Sequence, residues 1–169
     1  MKLHIGGEEA REGWKILNIQ QKPGVDFIGD ILDLSQFADE SCDEVYASHV
    51  VEHVHQAKAF EMFKGLARVL KKGGKLYVAV PDMDVLCHSF ISPQASFEMK
   101  FHIMRMMFGG QMDAYDFHYF GWNELFMRVA LGNAGFASAN KVQSFGLFND
   151  TSDYVPYGFP ISLNMVAVK

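Results

Sequence analysis

Short apolar runs alternate with turn signals along the first 90 residues, interrupted by one helical stripe. Leu3-His4-Ile5 reads as a strand running into Gly6-Gly7, and Trp14 to Ile19 as a second, closed by Gln20-Gln21 and a Pro23-Gly24 turn. Val25 to Ile28 predicts a third strand, ended by Gly29-Asp30, and Val45-Tyr46-Ala47 a fourth, after the acidic stretch from Asp39 to Glu44. From Ala57 the apolar positions fall at Phe60, Phe63, Leu66, Ala67 and Leu70, the three-and-four spacing of a helix packed on one side. Lys71 and Lys72 suit its carbonyl end, and Gly73-Gly74 predicts a left-handed stop. Leu76 to Val80 is then a nearly continuous apolar strand ended by Pro81-Asp82. Such strands, separated by helices, imply a mostly parallel sheet covered on both faces.

The second half is helical before it returns to strands. Phe97, Phe101, Met104 and Met107-Phe108 form a stripe expected to pack into the core, stopped by Gly109-Gly110. Asn123 is placed to cap another helix carrying Leu125, Phe126, Val129 and Ala130. Val142 to Phe145 and Ser162 to Val168 read as the last two strands, an antiparallel pair. No repeat, low-complexity segment or linker divides the chain, so residues 1–169 are expected to form one domain.

Composition narrows the class. A chain of 169 residues buries roughly 70% of its extended surface, enough to fold without disulfides. With 49% hydrophobic and 21% charged residues, disorder is excluded. The net charge of −5, with no run of five like charges, argues against nucleic acid, whose binders cluster Lys and Arg. Two cysteines, Cys42 and Cys87, fit a reducing compartment. No leader and no apolar run of membrane-spanning length is seen, so a cytoplasmic protein without membrane contact is expected.

Three constellations could carry chemistry. Gly6-Gly7 after the first strand lets backbone approach a ligand, because glycine has no Cβ in the way. His49-Val50-Val51-Glu52-His53 has the H-x-x-E-H spacing of zinc hydrolases, a reading that requires all three side chains on one helix. Here the segment follows directly on a strand, so no metal is expected and His53 is taken as structural. Asp113 to Trp122 combines two carboxylates, His118 and five aromatic residues, a composition able to hold an apolar or cationic acceptor and to take a proton at His118. Equally, it could be an aromatic staple closing the core.

In this order the segments resemble the class I S-adenosylmethionine-dependent methyltransferases, in particular small bacterial proteins of the methyltransferase type 11 group. The resemblance rests on Leu3-His4-Ile5-Gly6-Gly7, Val25 to Ile31, Phe37 to His53, Arg68 to Leu76 and Leu131 to Phe136. It implies a Rossmann-like α/β fold: a doubly wound, mostly parallel sheet with a final antiparallel strand in three α/β/α layers. The lid helix that precedes the first strand in the family is expected to be missing here. By the same resemblance Gly6 and Gly7 would pass beneath the methionine part of the cofactor, and Asp30, with the Ile31 backbone, would hold the adenine. Ser48 and His49 would flank the sulfonium, and Gln20 would stand where the family carries a ribose-binding carboxylate. Glu8 and Ala10 stand where further glycines are usual.

The implied activity is methyl transfer from S-adenosylmethionine to a small-molecule acceptor, with His118 and His49 as candidate catalytic residues. The alternatives are a binding or assembly protein on a catalytically weakened methyltransferase fold, and a zinc hydrolase using His49, Glu52 and His53. An open crevice and an aromatic loop from Tyr115 to Trp122 lead to the expectation of a homodimer.

Overall fold

Leu3 and Ile5 point to one face of a sheet and His4 to the other, and this alternation organises the whole chain. The computed structural model describes all residues 1–169. Its seven strands are β1 Lys2–Ile5, β2 Trp14–Asn18, β3 Phe27–Ile28, β4 Cys42–Ser48, β5 Leu70–Pro81, β6 Ser138–Val142 and β7 Ser162–Val168. Four helices are α1 Gln56–Val69, α2 Met83–Ile91, α3 Phe97–Phe108 and α4 Glu124–Asn133, with 3-10 turns at Val51–His53 and Thr151–Asp153. The strands form one sheet in the order β3-β2-β1-β4-β5-β7-β6. Strands β1 to β5 pair in parallel, and β7 runs antiparallel to both β5 and β6. This is the expected Rossmann-like sheet.

The two faces are covered differently. On one, Leu3, Ile5, Val45, Ala47, Leu76 and Val78 meet Phe63 and Leu66 of α1 and Met127 and Leu131 of α4 in the main core. On the other, His4, Trp14, Tyr46 and Tyr77 are roofed by Phe145, Leu147 and Phe148, so the layer over them is an aromatic loop rather than a helix. Helices α2 and α3 pack through Leu86 and Ile103 onto Ile161 in a cluster of their own. The connections 6–13 and 19–26 contain no helix, although they join parallel neighbours that usually need a dozen or more residues.

Several boundaries differ from those read in the sequence. Helix α1 stops at Val69 and the chain turns extended at Leu70, so Gly73, with φ +76°, lies within β5 and is not a helix stop. Helix α2 has no apolar stripe to announce it, since it buries only Leu86 and Ser89; the Asp82 side chain starts it by accepting from the Asp84 amide. In α3 the expected core stripe faces solvent, with Phe97 78% and Phe108 57% exposed, and the buried side chain is Ile103. Asn123 does cap α4, accepting from the Phe126 amide, but Met127, Ala130 and Leu131 turn inward while Leu125, Phe126 and Val129 are exposed. Strand β6 lies at Ser138–Val142; being a polar edge strand it has no apolar signature, and Phe145 belongs to the aromatic roof.

His4 is the weak point of that roof in acid. Its ring lies 4.2 Å from Phe148 and 5.0 Å from Tyr46, and Nδ1 has no hydrogen-bond partner. Burial pushes its pKa down to about 4, against the opposing pull of the Asp150 charge. Below pH 6.5 the unfolded chain takes up a proton that the folded chain refuses until about pH 4. The stability held by neutral His4 is therefore complete above pH 6.5 and lost as the pH falls toward 4. Urea denaturation of the wild type should lose about 2–3 kcal/mol more than His4→Phe between pH 7 and pH 4.5. Parallel pH curves for the two proteins would contradict this assignment.

Candidate functional site

Parallel strands β1 and β4 lie side by side, and the chain departs from them in opposite directions across the sheet. At such a switch the carboxyl ends of neighbouring strands leave a gap that their loops cannot fill. Here that gap is a crevice of about 550 Å³, well within the size range of cofactor sites. Ile5 and Gly6 after β1, Asn18 and Gln20 after β2, Asp30 and Ile31 after β3, and His49 and Val50 after β4 form its base. Asp113, Tyr115, Asp116 and Tyr119 form the far wall, and His55 stacks on Tyr119 with ring centroids 3.9 Å apart. Glu8 and Lys22 form an ion pair on the wall beside β1 and β2.

Local chemistry sets each of these groups. Gly6 sits at φ +75°, and a Cβ there would come within 2.5 Å of Val50 Cγ2. Asn18, the last residue of β2, is buried; its amide donates to the Gly7 carbonyl at 3.1 Å and accepts from the Gln20 amide at 2.9 Å. Asp30 Oδ1 accepts from the Leu32 amide at 2.9 Å, which caps the following turn and leaves Oδ2 without a protein partner. His49 adopts φ +53°, a costly conformation for a residue with a Cβ. Its Nε2 lies 2.9 Å from Ser162 Oγ, whose own hydrogen goes to the Thr151 carbonyl, so Nε2 is the donor. Its Nδ1 lies 3.2 Å from Glu52 Oε1.

Glu52 is 1% exposed and is the least expected feature of the site. Burial alone would raise its carboxyl pKa, but the His49 hydrogen and the charges of His49, His53 and His118 outweigh this and hold it below the usual value. Its main-chain carbonyl accepts from the Tyr119 and Phe120 amides, and the Trp122 indole donates to the Val51 carbonyl. The segment 109–122 is thereby fastened beneath the crevice. Trp122 is fully buried and Phe120 packs against it, so the aromatic loop is largely a staple, while Tyr115 and Tyr119 stay exposed.

Of the residues singled out in the sequence, Gly6, Gln20, Asp30, Ile31 and His49 meet around this one crevice. Gly7 and Ser48 do not line it. The place of a Gly7 side chain is taken by the His4 ring, and Ser48 Oγ is buried without a partner. His118 is also off the wall, donating Nδ1–H to the Met106 carbonyl at 2.9 Å with its ring pKa lowered by burial. His49, Glu52 and His53 do not form the helical metal triad, because Val51–His53 is a single 3-10 turn. Asp113 and Asp116 belong to the segment marked in the sequence as able to hold an acceptor, whereas Asn18 was not singled out as a site residue; that it is the polar end of a strand was the available signal.

The family model for the methyltransferase domain matches residues 8–78. Among solved structures, an S-adenosylmethionine-dependent methyltransferase from Archaeoglobus fulgidus superposes with a TM-score of 0.62 at 15% identity, over 99% of this chain and 85% of that one. A Burkholderia thailandensis N-methyltransferase, solved with its acceptor and S-adenosylhomocysteine, gives 0.62 at 13%, over 99% and 70%. A Haloferax volcanii protein solved with the Trm112 methyltransferase activator gives 0.58 at 18%, over 99% and 80%. At these identities the likeness is one of fold. No curated protein matches the sequence at a significant level.

The crevice depends on Gly6 in two separable ways. Gly6→Ala should cost about 2–3 kcal/mol in urea denaturation, from the positive φ and the collision with Val50 together. Gly13→Ala, also at positive φ but with open space around it, should cost only about 1 kcal/mol. Equal losses would mean that Val50 yields freely.

Proposed function

We propose that this chain, whose residues 8–78 match the methyltransferase-domain family and whose fold is that of the class I S-adenosylmethionine-dependent enzymes, transfers a methyl group to a small-molecule acceptor. The observation that supports this most is the crevice at the carboxyl ends of β1 to β4. The cofactor fits what is there. A Cβ-free Gly6 leaves room for backbone approach, Asp30 keeps one free carboxylate oxygen, and the wall carries four carboxylates against one lysine, which favours a cation. When bound, S-adenosylmethionine supplies an electrophilic methyl on a positively charged sulfur.

The protein's own groups bind and orient. Asp30 Oδ2 would accept from the adenine amino group, with the Ile31 backbone beside it, and Asn18 and Gln20 would meet the ribose. Both nitrogens of His49 are engaged by Ser162 and Glu52, so His49 positions the end of β4 instead of moving a proton. Methyl transfer then relies on proximity and in-line orientation. Tyr115 and Tyr119 offer aromatic faces for the acceptor. The free thiols Cys42 and Cys87 suit a cytoplasmic setting.

A second reading, a binding protein that has lost efficient catalysis, is favoured by the Glu8–Lys22 pair at the crevice and by a neutral amide at the end of β2. Calorimetric titration with S-adenosylhomocysteine separates the two: micromolar binding supports the enzyme, and silence at millimolar ligand supports the alternative. Gln20→Asp should tighten that binding about tenfold, roughly 1.4 kcal/mol, since a carboxylate accepts from both ribose hydroxyls. Gln21→Asp, exposed and outside the crevice, is the control. Equal effects would mean that only general charge is sensed.

A homodimer is also proposed, now through α3. Phe97, Phe101, Met104 and Phe108 form an exposed apolar stripe, self-complementary when two copies of the helix meet across a two-fold axis. Light scattering at tens of micromolar should give twice the chain mass, and Phe101→Glu should halve it. A monomeric wild type would end this idea.

A further inference from the structure

Beneath the crevice, three side chains with metal-ligating atoms come together. One carboxylate oxygen of Glu52 and one ring nitrogen each of His53 and His118 lie within 4.8 Å of one another. The two rings meet edge to face, with centroids 4.7 Å apart. His53 donates Nδ1–H to the Phe117 carbonyl at 3.0 Å, and His118 donates Nδ1–H to the Met106 carbonyl. A carbonyl can only accept, so in each neutral ring Nε2 is left as a lone pair. Glu52 is 1% exposed, and neither of its oxygens accepts a hydrogen bond of good geometry. A buried anion whose one nearby donor is His49 Nδ1 at 3.2 Å, beside two imidazole nitrogens that no hydrogen bond joins to it, gains from a cation in the gap.

We propose that Glu52, His53 and His118 bind one divalent transition metal of the zinc class, with an open position toward the crevice. Two imidazoles and one carboxylate with a vacant fourth position are a catalytic-type zinc donor set, whereas magnesium or calcium would demand more oxygens. The outer partners of such a site are already in place. Each histidine is oriented by an Nδ1–H to a main-chain carbonyl, and His49, itself held by Ser162, stands behind Glu52 at 3.2 Å. Ligand atoms in a tetrahedral shell lie roughly 3.4 Å apart, so the three ligand atoms, within 4.8 Å of one another, close in by up to about 1.4 Å on loading. The set is not the H-x-x-E-H triad of the sequence. His49 leaves it for Ser162, and His118, brought in by the segment 109–122, takes its place.

The site has a definite consequence for the crevice. His53 lines it, whereas Glu52 is sealed below, so the metal sits at its floor and clamps the segment 109–122 to the end of β4. Its open position offers a Lewis-acidic contact to an oxygen or nitrogen of whatever the crevice holds. The inference does not rest on methyl transfer and is tested without it.

Tag-free chain stripped by chelation would be titrated with Co²⁺, followed by visible absorption, and with Zn²⁺ by calorimetry. One equivalent per chain at micromolar affinity or tighter is expected, with the thermal midpoint raised by about 5 °C in excess metal. His53→Gln and His118→Gln should each weaken binding at least ~100-fold, while His88→Gln, exposed on α2, should leave it unchanged. Failure of wild-type chain to take up a stoichiometric metal at millimolar concentration overturns the site, even if a variant misfolds. Binding that both folded histidine variants retain overturns it as well.

Discussion

A carboxylate buried at the end of a central strand constrains this molecule more than any other single group. Glu52 sits one short turn beyond β4, where desolvating an unpaired charge would cost several kcal/mol. Its surroundings are arranged to offset that cost. His49 is forced to a positive φ to bring its ring alongside, and Ser162 of β7 fixes that ring from the other side. The Glu52 main chain in turn anchors Tyr119 and Phe120, so the segment that walls the crevice is tied to the carboxylate that lies beneath it. Core, crevice floor and crevice wall thus share one residue.

The asymmetry of the sheet follows from the short connections. With no helix between β1 and β2 or between β2 and β3, the face carrying His4, Trp14 and Tyr46 must be covered by chain arriving from elsewhere, and residues 143–153 do so. Tyr46 donates to Asp150, which also caps the adjoining 3-10 turn, so this roof is held by polar contacts as well as by ring packing. The same short connections leave the first strand ends without a helix N-terminus to meet an anionic group. Ligand contacts on that side must come from loop backbone and from the side chains of Asn18, Gln20 and Asp30.

Much of this was legible in the sequence, for physical reasons that also explain the misses. Strands β1, β2, β4, β5 and β7 are apolar because they are buried, and α1 repeats its apolar residues because one side faces the sheet. Where burial is partial the signal fails. Strand β6 is a polar edge, α2 buries two residues, and α3 turns its aromatic stripe outward while Ile103 alone goes in. Gly6, Gln20, Asp30, Ile31 and His49 could be placed together because strand ends in a parallel sheet converge. Gly7 could not be excluded beforehand, since the His4 ring that fills its side is a cross-face contact. The meeting of His118 with Glu52 and His53 left no trace in local spacing, because the 109–122 segment folds back through main-chain hydrogen bonds.

The engagement of the histidines also limits the chemistry of any acceptor. His49 has both nitrogens committed, and His118 stands behind His53, off the crevice wall. The carboxylates that do line it are already engaged, Asp30, Asp113 and Asp116 each by a nearby backbone amide and Glu8 by Lys22. Under the proposed methyl transfer, an acceptor that is nucleophilic on arrival needs no base from the wall. A neutral nitrogen with a free lone pair meets that condition, as does an oxygen acidic enough to lose its proton in water. An ordinary alcohol does not, and would have to give its proton to one of the two wall imidazoles with an uncommitted nitrogen, His53 or His55.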